Sequence, residues 1–236
     1  MTDFLSSDAA RDGRRRWGRA LALMTAVQIV ASASILGLTA LAPEVAASTG
    51  IGAHWIGYQI SLIYFSGMFA SAIAGSVVEA LRPDRIIVLE LGLFASGLLL
   101  IATGSVTAIV AGSLLLGVGY GLNNPASSEI LNRDTPRNRH SLVFSLKQSG
   151  VPVGAVLANL SLPALTLALG GAWQLAILVA AVLPAVLLVV SAATLRPSEP
   201  MRRFDGGVVA RMVRDQRDLY RNARLRTLAV LGGLFS

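Results

Sequence analysis

Long apolar runs, separated by short polar connections, dominate the chain. The runs cover residues 18–42, 55–80, 86–107, 109–131, 141–167 and 172–195. Each is about 20 residues or longer, which is enough for a helix to cross about 30 Å of hydrocarbon. The runs are continuous and do not alternate with polar residues, so they predict helices and not the strands of a barrel. The pattern predicts an all-α membrane protein with a bundle of six transmembrane helices at 18–195.

Three polar or short segments flank the predicted bundle. Residues 1–17 form a basic N-terminus, and residues 196–224 form a basic linker with apolar residues at roughly helical spacing. That spacing is typical of an amphipathic helix lying on a membrane surface, although a solvated linker fits it equally well. Residues 225–236, "LRTLAVLGGLFS", are too few to cross a bilayer and are predicted to begin a seventh span.

The composition agrees with a membrane location and argues against catalysis. Hydrophobic residues make up 54% of the chain and charged residues 14%, where a soluble domain has about 25%. The chain has no cysteine, so a disulfide framework and a thiolate metal site are both excluded. It also lacks the motifs of zinc proteases and of nucleotide-binding loops. We therefore predict no enzyme activity, no catalytic residue, no metal site and no cofactor.

The distribution of arginine predicts the orientation. All 19 arginines lie before or at the very start of the first run, in the second and fourth connections, or from Arg196 onward. The alternate connections, around 43–54, 104–108 and 168–172, contain neither lysine nor arginine. By the positive-inside rule, the N-terminus and the linker are cytoplasmic, and the expected location is a bacterial inner membrane. The net charge of +7 is then a signal of topology, and no nucleic-acid partner is predicted.

An internal repeat relates the two halves of the predicted bundle. "IVASASILG" at 29–37 and "IVAGSLLLG" at 109–117 are identical at five of nine positions and lie eighty residues apart. This offset superimposes the first three spans on the last three. Three-helix repeats of this kind are common in transporters.

At this point the sequence resembles the N-terminal six-helix half of the major facilitator superfamily. Members carry the signature Gly-x-x-x-Asp-Arg-x-Gly-Arg-Arg between spans two and three, and the corresponding stretch here is "GSVVEALRPDR". Gly75 matches, Glu79 replaces the aspartate, and Arg82 and Arg85 keep the loop basic. The arginine after the acid and the second glycine are absent. The resemblance implies that this loop helps to gate the cytoplasmic side.

Two further motifs of the superfamily are absent or altered here. The fourth span, "AGSLLLGVGYGLNNP", lacks the arginine of a second motif, so proton coupling through that residue is not expected. The fifth span only loosely approaches the pattern of drug antiporters, so antiport is not supported.

The resemblance implies a secondary active transporter of a small solute that works by alternating access in a lipid bilayer. A complete site would need a second six-helix bundle. The chain is thus expected either to be a fragment that lacks its C-terminal half or to act with a second copy. The competing prediction is a half-transporter or assembly partner that transports nothing.

Lys147 is the one lysine of the chain and lies inside the fifth apolar run. On a helix of 100° per residue, it falls on a face of small residues, away from a leucine-rich face that would contact lipid. These small residues include Gly150 and Gly154, whose spacing permits close helix packing. A charge within a span is costly and is often functional. Because Lys147 is only about 9 Å from the end of the span, snorkelling or ion pairing remains the alternative.

Other polar residues of the spans extend this candidate site. If Lys147 attracts the substrate, the substrate is an organic anion. Hydrogen bonding between helices is the alternative role for each polar residue. Glu90 and Glu129 lie near the cytoplasmic ends of their spans and are predicted to be interface charges, with a role as proton carriers as the alternative. The candidate substrate-binding residues are Lys147, Gln148, Gln28, Asn124, Tyr120 and Asn159.

Overall fold

The computed structural model describes residues 2–50, 52, 54–195 and 227. Side chains are described for the same residues except 2–16, 54, 56, 79 and 80. The predicted linker at 196–224 lies outside the described residues. So does the predicted start of a seventh span at 225–236, apart from Thr227.

Eight α-helices make up most of the described chain, and no strand occurs in this part of it. Six membrane-spanning segments result, which confirms the predicted fold class. Helices α1, α3, α4, α5 and α8 each supply one span, and α6 with α7 supplies the fifth. The helices are α1 (Thr2–Ala40), α2 (Ala42–Thr49), α3 (His54–Leu81), α4 (Pro83–Ala102), α5 (Val106–Asp134), α6 (His140–Gln148), α7 (Gly150–Ala168) and α8 (Trp173–Thr194).

The fifth span stays one span, as the sequence predicts, but a helical hydrogen bond is missing between α6 and α7. Pro152 has no backbone N–H, so the carbonyl of Gln148 loses the donor that a regular helix would provide. Ser149 keeps helical dihedral angles, with φ −62° and ψ −16°. The chain therefore continues in a helical course through this position.

The packing of the helices follows the eighty-residue repeat. Helix α1 packs against α7, and α5 packs against α3, which is the same contact after exchange of the two repeats. The contact of α4 with α5 corresponds in the same way to that of α8 with α1. Helices α4 and α8, the last of each repeat, pack against each other. The six spans thus form a 3+3 bundle.

Two equivalent glycines show how the repeats achieve this packing. Gly37 ends the first repeated segment on α1, and a Cβ there would lie 3.3 Å from Leu162 of α7. Gly117 ends the second segment on α5, and a Cβ there would overlap Ser66 and Ile63 of α3. Small residues allow the backbones of membrane helices to approach closely.

The leucine-rich face of the fifth span is on the outside of the bundle. Leu146, Val153, Leu157 and Leu160 are all exposed, whereas Lys147 is buried. The bundle also has two distinct ends. We call the end that carries the α3–α4 and α5–α6 connections the basic end, because its arginines include Arg82, Arg85, Arg133, Arg137 and Arg139.

Candidate functional site

A cluster of polar side chains lies inside the bundle, nearer the basic end. Three helices supply it: α4 contributes Glu90, α5 contributes Asn123 and Asn124, and α6 contributes Lys147 in its last turn. Glu90, Asn123 and Lys147 are buried. We call these four residues the polar cluster.

Lys147 lies just beneath the surface of the bundle. Its side chain is 2% exposed, and its Nζ donates a hydrogen bond of 2.7 Å to Oδ1 of Asn124. Asn124 is itself exposed. The ammonium group is therefore directed into the bundle and covered by Asn124, and the side chain does not extend along the lipid face.

Glu90 is the second charged group of the polar cluster and is completely buried. Its Oε1 accepts a hydrogen bond of 3.0 Å from Nδ2 of Asn123, while its Oε2 has no partner. Lys147 bonds to Asn124, the neighbour of Asn123 on α5, and no direct ion pair joins the described side chains of Lys147 and Glu90. The prediction that Glu90 is an interface charge is wrong, because its side chain is completely buried and is bonded to Asn123 of α5.

The local sequence of α5 explains this arrangement. Consecutive residues of a helix point about 100° apart, so Asn123 faces the interior while Asn124 faces outward. Gly119 lies one turn before Asn123, and a Cβ there would lie 2.9 Å from the ring of Phe94 and 3.3 Å from the carbonyl oxygen of Glu90. The glycine permits α4 to approach α5, which brings Glu90 to Asn123.

Gln28 of α1 lies one helical turn along the fifth span from Lys147. A Cβ at Gly150 would lie 3.1 Å from the Cβ of Gln28. The Gln28 side chain is 1% exposed, and neither its Oε1 nor its Nε2 has a hydrogen-bond partner in the described structure. A buried amide with no partner is unusual and costly, so Gln28 is a free polar group beside the polar cluster.

The remaining predicted substrate residues are placed differently. Tyr120 is partly buried, and its ring packs edge-on against Tyr64 with 6.3 Å between centroids. Gln148 and Asn159 are exposed, and Asn159 donates to the carbonyl of Ala155 in its own helix at 2.8 Å. Asn159 lies about 18 Å along the helix from Lys147 and is not part of the polar cluster.

The predicted signature loop contains an ion pair that the sequence did not indicate. Arg82 and Asp84 pair at 2.8 Å, and Asp84 is 8% exposed. Gly75 and Arg85 are exposed, and the side chain of Glu79 lies outside the described residues. Arg82 occupies the position of the second signature glycine and keeps a glycine-like backbone, with φ 70° and ψ 127°.

A cavity of about 540 Å³ lies at the opposite end of the bundle from the basic loops. Its walls are mainly apolar, and its buried polar members, Gln59 and Ser113, are hydrogen-bonded to each other at 3.1 Å. The lining includes Leu38, Trp55, Gln59, Phe65, Ile109 and Ser113.

Comparison with known proteins identifies the fold to which this site belongs. The family model described as Major Facilitator Superfamily matches residues 16–236. The chain belongs to the major facilitator superfamily. This confirms the resemblance predicted from the signature loop and the six spans, and it places the chain in a family of membrane transporters as an N-terminal half.

Solved structures of the superfamily share the fold of this facilitator chain. A mutant of peptide transporter POT in complex with alafosfalin is 21% identical, with a TM-score of 0.63 over 89% of this chain and 45% of the other. A POT family transporter in complex with 5-aminolevulinic acid is 17% identical, with a TM-score of 0.63 over 92% of this chain and 47% of the other. The chain therefore spans slightly less than half the length of these transporters. A comparison with curated sequences gives no match.

Proposed function

We propose that this facilitator chain serves in secondary active transport of a small organic anion by alternating access. The observation that supports the proposal best is the buried ammonium group of Lys147 beneath Asn124. The six-helix bundle would rock against a second bundle, either a C-terminal half or a second copy, around a site between them.

The chemistry of the ammonium group favours an anion as its ligand. A lysine has three N–H donors, and the described residues provide Lys147 with one acceptor, Asn124. A charge within a span costs about 2.5–3.5 kcal/mol on insertion scales unless it is compensated. A carboxylate or a similar group can accept the two free donors and lower that cost.

The position of Lys147 also favours a binding role. Asn124 and Gln148 are exposed polar residues on either side of it, whereas a lipid-facing surface is apolar. In the facilitator fold, a polar face of this kind is expected to border the path of the substrate. Gln28, with its free amide group, would supply further hydrogen bonds from α1.

Uptake by proteoliposomes that contain the complete gene product tests this proposal. The labelled probes are two anions, lactate and benzoate, one zwitterion with a carboxylate group, 5-aminolevulinic acid, and neutral glycerol. 5-Aminolevulinic acid is included because a structural relative binds it. Each probe is measured with a proton gradient, with a sodium gradient and with neither.

The variants are Lys147→Gln, Lys147→Arg and a matched control, Leu146→Ala, at an exposed position of the same helix. We expect Lys147→Gln to lower the uptake of at least one anion by about tenfold, which corresponds to about 1.4 kcal/mol. Lys147→Arg should retain part of the uptake, and Leu146→Ala should retain all of it. Unchanged anion uptake by Lys147→Gln at equal protein levels, or uptake of glycerol alone, would overturn the proposal.

A further inference from the structure

Glu90 has no role in the anion site as described so far, yet it is buried beside that site. We propose that Glu90 is the proton-binding group that balances the charge of Lys147: ionised when the site is empty and protonated when an anion is bound. This inference rests on the proposed function, because it requires an anion to bind at Lys147.

The first observation is the incomplete hydrogen bonding of the carboxyl group. Oε1 of Glu90 accepts from Asn123, and Oε2 has no partner although the side chain is completely buried. Burying an ionised carboxylate is costly unless a positive charge compensates it. Oε2 is therefore the oxygen on which a proton would reside.

The second observation is that Lys147 and Glu90 bond to neighbouring residues of α5 and form no ion pair with each other. Each is hydrogen-bonded to its own asparagine, Lys147 to Asn124 and Glu90 to Asn123, and these asparagines are neighbours on α5. An anion can thus bind the ammonium group without displacing Glu90 from its partner. It would still cancel the positive charge that compensates the carboxylate.

No other described charge replaces Lys147 in this role. Helix α8, which packs on α4, has no charged residue, and the one charge of α1 after Trp17 is the exposed Arg19. The charges of α5 lie towards the basic end, where Arg133 and Asp134 pair at 3.2 Å. The other charged or titratable residues of α3 to α6 with described side chains are outside the polar cluster: Tyr58, Tyr64, Asp84, Arg85, Tyr120, Glu129 and His140.

The balance of charge gives the stoichiometry. In the empty site, one ammonium and one carboxylate sum to zero. When a monoanion binds Lys147, Glu90 accepts one proton from water on Oε2, and the loaded site is again neutral. Release of the anion returns the proton to water on the other side. Transport would then be electroneutral for a monoanion, with one proton moved for each anion.

Infrared difference spectroscopy of the reconstituted complete gene product tests the protonation directly. The signal is the carbonyl-stretch band of a protonated carboxyl group, assigned to Glu90 by its loss in Glu90→Gln. Glu129→Gln is the matched control, since Glu129 is partly buried on α5 and outside the polar cluster. The probe is the anion that shows the largest Lys147-dependent uptake.

We expect the probe to increase the Glu90 band in the wild type and in Glu129→Gln. In Lys147→Gln, the band should already be larger at the same pH without any anion, because the compensating charge is gone. In Glu90→Gln, the anion accumulation driven by a proton gradient should fall at least tenfold. The exchange of labelled for unlabelled anion should be retained.

Three results would overturn this inference. The first is a Glu90 band that does not change when the anion is added. The second is a band in Lys147→Gln that equals the wild-type band without anion. The third is undiminished proton-driven accumulation by Glu90→Gln. If these occur while Lys147→Gln still loses anion uptake, the proton site fails and the anion site stands. If Lys147→Gln takes up every anion normally, the proposed anion site at Lys147 is wrong. The Glu90 band of Lys147→Gln without anion then still tests whether Lys147 controls the protonation of Glu90.

Discussion

Gly154 of α7 lies directly against the carbonyl oxygen of Ile29 on α1. A Cβ at this glycine would also lie 2.8 Å from the Cβ of Ser32 and 3.1 Å from the backbone nitrogen of Ala33. Ser32 adds a hydrogen bond of 2.8 Å from its Oγ to the carbonyl of Val151. This contact joins the first and fifth spans next to the polar cluster.

We therefore expect Gly154→Val to push α7 away from α1 and to destabilise the bundle by about 1–3 kcal/mol. Thermal unfolding in detergent micelles measures the loss. Gly18→Ala is the matched control, because a Cβ at Gly18 meets nothing within 4 Å, and it should be neutral or slightly stabilising. Equal melting temperatures for Gly154→Val and the wild type would contradict the close contact.

Asn123→Ala should destabilise the protein because it removes the hydrogen-bond donor of a buried carboxyl group. The expected loss is about 1 kcal/mol, in line with hydrogen bonds between membrane helices. Asn159→Ala provides the comparison, since this exposed amide bonds only within its own helix. At matched pH, the melting temperature of Asn123→Ala should be clearly lower than that of Asn159→Ala. The reverse order would contradict the role of Asn123.

Arg82→Gly should be more stable than Arg82→Ala. Both variants lose the ion pair with Asp84, so the difference in their unfolding free energies reports only the backbone strain at position 82. At φ 70° a glycine is unstrained, whereas alanine bears a cost of the order of 1–3 kcal/mol. Urea or thermal unfolding of the two variants measures this difference, and equal stabilities would mean that the loop does not need the left-handed conformation.

The orientation predicted from the arginines can be tested with single cysteines, because the chain has none of its own. Ser105 lies in the arginine-free connection before α5, and Asn138 lies in the basic connection after it; both are exposed. In intact cells, an impermeant maleimide should label Ser105→Cys from outside. It should label Asn138→Cys only after permeabilisation. The opposite pattern would invert the predicted topology.

The six spans were predictable because each can cross the membrane without hydrogen bonds from another helix. A helix completes its backbone hydrogen bonds internally, so length and hydropathy alone locate it. The boundaries agree to within about five residues: the third span was predicted at 86–107 and runs from Pro83 to Ala102. Hydropathy does not register the missing N–H of Pro152, which removes one hydrogen bond within the fifth span.

The burial of Lys147 was predictable in part, since it follows from the position of the leucines on the same helix. The role of Asn123 and the depth of Glu90 were not predictable. Glu90 lies only eight residues into α4, which suggests an interface position when that helix is considered alone. The signal that could have identified it is Gly119, whose missing side chain permits close packing of α4 on α5.

The sequence by itself determined the class of the protein, its six spans, its repeat and its family, because these depend on local hydropathy and on residues close together in the chain. Only the tertiary structure decided which polar groups meet. Glu90, Asn123, Asn124 and Lys147 come from three helices, and their contacts depend on the rotation and approach of each helix. The rotation and approach of the helices are determined by packing at glycines such as Gly119 and Gly154, where a difference of one methyl group alters the distance between helices.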